Sequence, residues 1–443
     1  MKIRFVTLGC KLNFAESSAI GKALLQRGHT RAKQGEEADI CVINTCSVTD
    51  NADHKDRQTI HRIHRQNPNA IIIVTGCYAQ LQPEQIAQIE GVDYVLGQNE
   101  KYEITQLVDD IERLRDSLED ASLQDAASGY SLEAQKIRVA NIREVDEFHG
   151  AYSKDDRTRC FLKVQDGCNY FCTYCTIPYA RGKSRNPKIE EVVKDAQEAI
   201  SQGAKEIILT GVNIGDFGRS TGESFLELLR ALDGLEAKGE RREAKGMDYR
   251  IRISSCEPNL LTDEIIDFVA QSKHFAPHFH IPLQSGSNEV LSIMKRRYTR
   301  ELFEERVQHI KQVMPHAFIG VDCMVGVRGE TEECFNDYVE FIKRLDVSQL
   351  HVFTYSERAN TRMLELDVCI VPKAERQRRS KILHEISEEK TRTFYANQTG
   401  REAIVLWESK KEGDQMAGFT ENYVKVYRPY DKAKVNTFEV IRL

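Results

Sequence analysis

Near the amino terminus, three apolar runs of strand length each end in a turn that delivers a cysteine. Residues 2–8, Lys-Ile-Arg-Phe-Val-Thr-Leu, precede Gly9-Cys10. Residues 38–44, Ala-Asp-Ile-Cys-Val-Ile-Asn, precede Thr45-Cys46, and residues 70–75, Ala-Ile-Ile-Ile-Val-Thr, precede Gly76-Cys77. Helical stretches fall at 15–27 and 50–66, followed by a short helix near Pro83, a strand at 92–96 and a helix from about 101. Strands alternating with helices predict a doubly wound parallel sheet, whose functional edge lies at the carboxyl ends of the strands. Parallel strands point the same way, so Cys10, Cys46 and Cys77 are expected to converge on one edge. Cys41 differs. It lies inside a strand among Ile40, Val42 and Ile43 and reads as core.

A second group stands at 166–175, Asp-Gly-Cys-Asn-Tyr-Phe-Cys-Thr-Tyr-Cys, with Cys168, Cys172 and Cys175 in the spacing C-x3-C-x2-C. Three thiolates this close can wrap one face of an iron–sulfur cube and leave one iron open to another ligand. Zinc would want a fourth Cys or His to close its tetrahedron, and Cys160 and Cys256 fit no such spacing. A disulfide framework would suit a short secreted chain, whereas this one has 443 residues and no apolar run of signal type. Its length allows two or three domains. Twelve cysteines on such a chain fit a reducing cytoplasm and thiolate chemistry. No run of about 18 apolar residues is present, so no membrane span is expected. The net charge of −6 does not advertise nucleic-acid binding, but local basic patches can still contact phosphate.

The stretch 166–175 resembles the signature of the radical S-adenosylmethionine superfamily. There the open iron holds the amino and carboxylate groups of S-adenosylmethionine, and Tyr174 matches an aromatic position placed near the adenine. The phrases Leu8-Gly9-Cys10-Lys11-Leu12-Asn13, Asn44-Thr45-Cys46-Ser47-Val48-Thr49 and Thr75-Gly76-Cys77-Tyr78-Ala79-Gln80 resemble the amino-terminal domain of the methylthiotransferases. In that family the three cysteines hold a second 4Fe-4S cluster, again with one open iron. The wording is most similar to the branch that modifies N6-threonylcarbamoyladenosine in tRNA. The resemblance therefore implies catalytic and metal-binding roles for Cys10, Cys46, Cys77, Cys168, Cys172 and Cys175. It implies two 4Fe-4S clusters, S-adenosylmethionine as methyl donor and radical source, a tRNA anticodon stem-loop as substrate, an electron donor such as flavodoxin or ferredoxin, and a sulfur donor.

In the central part, strands are expected at 159–165, 205–210, 249–254, 278–282, 317–324 and 349–354, with helices near 189–202, 222–234, 261–271, 299–313 and 330–344. Six βα units are too few for a closed eight-stranded barrel. They suggest a partial barrel, as the superfamily has, and strand ends again carry the candidate cofactor contacts. Gly211 and Asn213 end the second strand and resemble the segment that binds the methionine amino group. Ser254 and Ser255 end the third and would bond ribose hydroxyls, and Gln284 ends the fourth. Gly326 ends the fifth and resembles the adenine-binding glycine region. The sequence there, Val325-Gly326-Val327-Arg328-Gly329-Glu330, departs from the family's usual Gly-Phe-Pro-Gly-Glu.

Basic residues cluster at Arg157, Arg159 and Lys163, at Arg181, Lys183 and Arg185, and at Lys295, Arg296, Arg297 and Arg300. Arg181, just past the cysteine loop, is expected beside the active site; the others read either as an RNA track or as ordinary surface charge. Lys55, Arg62 and Arg65 share a helical face with the same two readings. Residues 372–397 read as a long charged helix, and short alternating strands at 403–407, 415–419, 423–427 and 437–441 suggest a small β-barrel. This end resembles the TRAM domain, an RNA-binding module of the family, in which Tyr423, Lys425, Tyr427 and Tyr430 would stack on or clamp RNA. The expected domains are 1–116 with the auxiliary cluster, a linker at 117–153, a radical domain at 154–385 and the TRAM module at 386–443. On the same scaffold, methylthiolation of isopentenyl-adenosine tRNA or of a ribosomal-protein aspartate stays open. A non-catalytic iron–sulfur RNA-binding regulator is the alternative from another class.

Overall fold

The computed structural model describes residues 1–33, 35–119, 136–153, 158–235 and 248–443. Residues 120–135 of the expected linker at 117–153, and Arg157, lie outside these residues. The chain divides into two compact units. The first comprises Met1–Glu147 and Thr176–Lys183, the second Phe148–Cys175 and Ser184–Leu443.

The first unit is built on a parallel sheet of six strands, β1 (Lys2–Thr7), β2 (Thr30–Arg31), β3 (Ile40–Thr45), β4 (Ile71–Gly76), β5 (Tyr94–Leu96) and β6 (Ile137–Arg138), in the order β2-β1-β3-β4-β5-β6. Every residue of β3 is buried, as an unbroken apolar run in a central parallel strand requires. Its side chains alternate between two cores. Ile40 and Val42 pack on the side of α1 (Lys11–Gln26) and the helix Ile104–Glu119, with Ile20, Leu24 and Leu107. Cys41 and Ile43 pack on the other side with Ile60 and Ile63 of α2 (Asp50–Gln66). Each such side chain contributes roughly 1.5–3 kcal/mol on burial. Cys41 is thus core, and burial pushes its thiol up to about 11. α2 starts where the sequence supplies a cap: the Thr49 hydroxyl accepts from the Ala52 N–H, and Asp50 and Asp53 sit in the positive first turn.

The second unit holds the six strands expected from the sequence: β8 (Arg159–Lys163), β9 (Glu206–Thr210), β10 (Arg250–Ile253), β11 (His278–Gln284), β12 (Phe318–Val325) and β13 (Gln349–Thr354). A two-residue strand, β7 (Ala151–Tyr152), pairs antiparallel with β8. The others pair parallel in two runs, β10-β9-β8 and β11-β12-β13, linked by isolated bridges Ile251–Phe275 and Ser255–His280. One core of apolar side chains lies under both runs, between strands and helices. Two short helices, Ile177–Arg181 in the first unit and Asn288–Ile293 in the second, went unforeseen in the sequence.

After the helix Lys373–Ala396 come four antiparallel strands, β14 (Glu402–Glu412), β15 (Gln415–Phe419), β16 (Lys425–Pro429) and β17 (Phe438–Arg442), ordered β16-β15-β14-β17. A buried charge cluster fastens this sheet to β10. Glu206 is fully buried and is bound by Arg250 and by Arg252, the latter at 3.1 Å. The same arginines donate to backbone carbonyls of the terminal sheet: Arg250 to Ile404 at 3.2 Å and Phe419 at 3.0 Å, Arg252 to Glu421 at 3.1 Å. Burial alone would raise the Glu206 carboxyl, but the two guanidinium groups hold it well below the usual range. No helix among the described residues is long and apolar enough to cross a membrane.

Glu206→Gln leaves two guanidinium groups buried without their counter-charge. Denaturant unfolding of the variant should show a loss of about 3–5 kcal/mol, with proteolysis released first near residue 400. The contribution is full above the ordinary glutamate range of about 4.3 and fades as the pH falls below it, because the folded-state pKa is the lower one. An unchanged unfolding midpoint at neutral pH would show that the cluster does not hold the terminal sheet.

Candidate metal centres

In the first unit the three strand-end cysteines meet at one edge. Cys10 caps α1 just beyond β1, Cys46 follows β3, and Cys77 opens α3 (Cys77–Leu81) directly after β4. The turns need glycine. Gly9 has φ +95°, and a Cβ there would stand 2.9 Å from Cys46 Sγ. Gly76 has φ +101°, and a Cβ would drive into the Thr45 backbone. Both are positions where L side chains are strained. Burial pushes the Cys46 thiol up to about 12, and nearby charge on Cys77 and Cys10 adds to it. Cys77 is raised by burial too, against the pull of Arg181 and Lys101.

Around this edge lies a buried polar network that the sequence did not announce. Gln98 Nε2 donates to Cys77 Sγ at 3.2 Å, and Lys101 donates to Gln98. Lys101 also pairs with the fully buried Glu16 at 2.5 Å, and Arg181 pairs with Glu16 at 3.1 Å. Arg181 then donates to Asn13 Oδ1 at 2.7 Å, and Cys10 Sγ lies 3.8 Å from the same oxygen. Asn13 Nδ2 ties the Leu8 and Thr45 carbonyls together at 2.8 and 2.9 Å.

In the second unit Cys168, Cys172 and Cys175 lie on one tight loop after β8. Gly167 and Phe171 both adopt positive φ, 69° and 50°. The loop is pinned by Thr173, which donates to the Ile293 and Met294 carbonyls, and by Asp166, which pairs through its backbone with Arg185. Tyr170 N–H donates to Cys168 Sγ at 3.4 Å, and Arg296 donates to Cys172 Sγ at 3.1 Å. Arg296 also meets Glu257, Tyr298 and the Tyr174 hydroxyl. Burial pushes the Cys168 thiol up to about 12.

Three cysteine sulfurs in each set suit an iron–sulfur cube that leaves one iron open to another ligand. Hydrogen-bond donors and cations aimed at the sulfurs favour bound thiolates over the thiols that burial alone would impose.

The candidate cofactor contacts sit at strand ends as expected, with different surroundings. Asn213 is buried, and neither its Oδ1 nor its Nδ2 has a hydrogen-bond partner. Gln284 has φ +63° and a buried, unpartnered Oε1, at a register shift in β11. Two orphaned amides at strand ends suit a polar ligand. Gly211 packs against Gln165, whose Oε1 accepts from the Val212 and Asn213 N–H groups at 2.9 and 2.8 Å. Gln165, the first polar residue after an apolar strand, was legible in principle. Ser254 is buried, and Ser255 bridges to His280. Gly326, at φ +76°, makes room for Arg376, and its N–H donates to Glu330 at 2.9 Å. The turn thus forms although its sequence departs from the usual one.

Several of the basic residues that read either as an RNA track or as surface charge are held by partners within the fold. Arg159 binds Tyr423 and Glu408, Lys163 and Arg185 bind Asp166, Arg296 binds Glu257, and Arg300 binds Asp337. Tyr423 stacks on Phe419 and lies beside Phe318, so it braces the terminal sheet. Lys55, Arg62 and Arg65 on α2, and Tyr427 on β16, are exposed.

Comparison with known proteins agrees with this layout. Residues 2–97 match the uncharacterized protein family UPF0004, and residues 162–342 match the radical SAM superfamily. The threonylcarbamoyladenosine tRNA methylthiotransferase MtaB of Bacillus subtilis is 38% identical over 96% of this chain and 89% of its own. A tRNA-2-methylthio-N(6)-dimethylallyladenosine synthase of Pelotomaculum thermopropionicum is 31% identical over 94% and 88%. Among solved structures, the radical S-adenosylmethionine methyltransferase TsrM of Kitasatospora setae shares the fold, with a TM-score of 0.56 at 16% identity over 79% of this chain and 72% of that one. With both triads in place and relatives of this similarity along nearly its whole length, the chain belongs to the radical S-adenosylmethionine tRNA methylthiotransferase family.

Proposed function

We propose that this protein transfers a methylthio group to carbon 2 of N6-threonylcarbamoyladenosine, next to the anticodon at position 37 of tRNA. The observation that carries the reading is the pair of thiolate triads, each at strand ends and each bordered by a buried cation. The higher identity to the threonylcarbamoyladenosine enzyme than to the dimethylallyladenosine one, 38% against 31%, supports the substrate. Carbon 2 of adenine is an unactivated C–H, beyond side-chain acid–base chemistry. Two 4Fe-4S clusters with S-adenosylmethionine supply the radical, the sulfur and the methyl group when bound.

The chain's own residues hold and orient. Cys168, Cys172 and Cys175 hold one cluster, with Arg296 donating to Cys172 Sγ and opposing the upward push of burial on that thiol. Cys10, Cys46 and Cys77 hold the other, with Gln98 donating to Cys77. Tyr174, Gly211, Asn213, Ser254, Ser255, Gln284 and, through its backbone, Gly326 position S-adenosylmethionine in a partial barrel of βα units. The terminal β-sheet serves as a TRAM-type RNA module, together with the exposed face of Lys55, Arg62 and Arg65. The target base must be splayed out of the anticodon loop to be reached. A reductant of flavodoxin or ferredoxin type and a sulfur donor complete the system in the cytoplasm.

Reconstituted anaerobically, the protein should hold eight irons per chain in two cubes, about four each. Replacing Cys168, Cys172 and Cys175 with Ala should halve that count. Unchanged iron, or zinc in its place, overturns the assignment. The two triads should also separate by product. Cys46→Ala should lose methylthio transfer but still release 5′-deoxyadenosine from S-adenosylmethionine, whereas Cys172→Ala should lose both. Liquid chromatography of the same reactions reads both products. Full transfer by Cys46→Ala would remove the first triad from the chemistry, and no 5′-deoxyadenosine from the wild type would favour a non-catalytic regulator.

A further inference from the structure

On the face of β11-β12-β13 opposite the helix-packed core stands a second kind of donor set. Phe279, Ile281 and Leu283 of β11 and Val321, Cys323 and Val325 of β12 are buried in the core. The alternation of a strand therefore turns His280 and Asp322 to the other face. His351 joins them because it is the ladder partner of Asp322 on β13. Gly320, the ladder partner of His280, carries no side chain, and a Cβ there would sit 3.5 Å from the His351 ring.

The three side chains bring one atom each to a common triangle. His280 Nε2 lies 2.7 Å from Asp322 Oδ1, His351 Nδ1 lies 3.2 Å from the same oxygen, and the two ring nitrogens are 3.2 Å apart. Protons cannot satisfy all three edges. An ionised carboxylate only accepts, and each ring nitrogen carries at most one hydrogen. If both rings donate to Asp322, two N–H groups face each other across the remaining edge. If one ring accepts instead, its lone pair faces the carboxylate. A cation at the centre would engage all three lone pairs at once. Ligand atoms around an ion with bonds of about 2.0–2.2 Å stand about 2.8–3.6 Å apart, which is close to this triangle.

We infer that His280, Asp322 and His351 form a binding site for a divalent first-row transition metal ion, separate from the cysteine triads. Two imidazoles and one carboxylate are a donor set for zinc or iron(II), and three protein ligands leave positions for water or another oxygen ligand. The site is reachable, since the three side chains keep 19%, 18% and 38% of their surface exposed. Asp322 stays ionised to serve it: burial would raise the carboxyl, but hydrogen bonds from His280 and His351 hold it well below the usual range.

The test uses the holoenzyme with its cysteine clusters loaded, so that zinc does not report on free thiols. Anaerobic equilibrium dialysis against zinc ions, with zinc and iron counted by mass spectrometry, should give one zinc per chain in the wild type. The double variant His280→Asn, His351→Asn should lose that zinc at unchanged iron content. Asp322→Asn, which keeps shape and removes charge, should bind at least about tenfold more weakly. If the double variant does not fold by circular dichroism and iron content, Asp322→Asn alone decides. Equal zinc affinity in wild type and Asp322→Asn, or zinc taken up only as iron is lost, overturns the site.

Discussion

A buried carboxylate with two buried cations lies beneath the cysteine edge of the first unit. Glu16, Lys101 and Arg181 are almost wholly shielded from water. Such a cluster is a poor source of net stability, since desolvation offsets most of its attraction, yet losing one partner costs about 3–5 kcal/mol. Its use here is positional and electrostatic. It carries one more positive charge than negative, and Arg181 and Lys101 pull against the upward push of burial on the Cys77 thiol. Through Asn13 it also fixes the turns that carry Cys10 and Cys46, because that one side chain bonds Arg181, the Leu8 carbonyl and the Thr45 carbonyl.

The second unit solves the same problem with other residues. Arg296 donates to Cys172 Sγ and is itself balanced by Glu257. In both triads a guanidinium within reach of the cysteine loops offsets the burial of the sulfur. Glycines and one strained phenylalanine supply the tight turns, Gly9 and Gly76 in the first case, Gly167 and Phe171 in the second. A parallel sheet provides the rest, because every strand must end on the same edge.

Strand periodicity and cysteine spacing made the architecture legible, since both are local. Strand β3 and its two cores follow from seven consecutive residues. Partnerships across the chain were not legible. Arg159 and Glu408, or Arg296 and Glu257, are ordinary charges in sequence, and only the fold reveals that they neutralise each other. Arg159, Lys163, Arg185, Arg296 and Arg300, which in sequence read either as an RNA track or as surface charge, are held in ion pairs in the fold. Tyr423 followed the same course: an aromatic in a β-rich tail suits RNA stacking, but its ring is used against Phe419 and Phe318. His280, Asp322 and His351 come from three strands and have no shared spacing to notice. Strand-end logic points to the candidate cofactor glycines and amides. That logic finds Asn213 and Gln284 with unpartnered atoms, while at Gly326 the missing side chain makes room for Arg376.

The identity of the product nucleoside tests the proposed activity most directly. Purified enzyme with loaded clusters, reductant and S-adenosylmethionine should be incubated with tRNA bearing N6-threonylcarbamoyladenosine, and with tRNA bearing isopentenyl-adenosine, and the digested nucleosides weighed by mass spectrometry. Only the threonylcarbamoyl nucleoside should gain one methylthio group, with its methyl drawn from isotopically labelled S-adenosylmethionine. A methylthio group on the isopentenyl nucleoside instead, or none on either, would contradict the proposed activity.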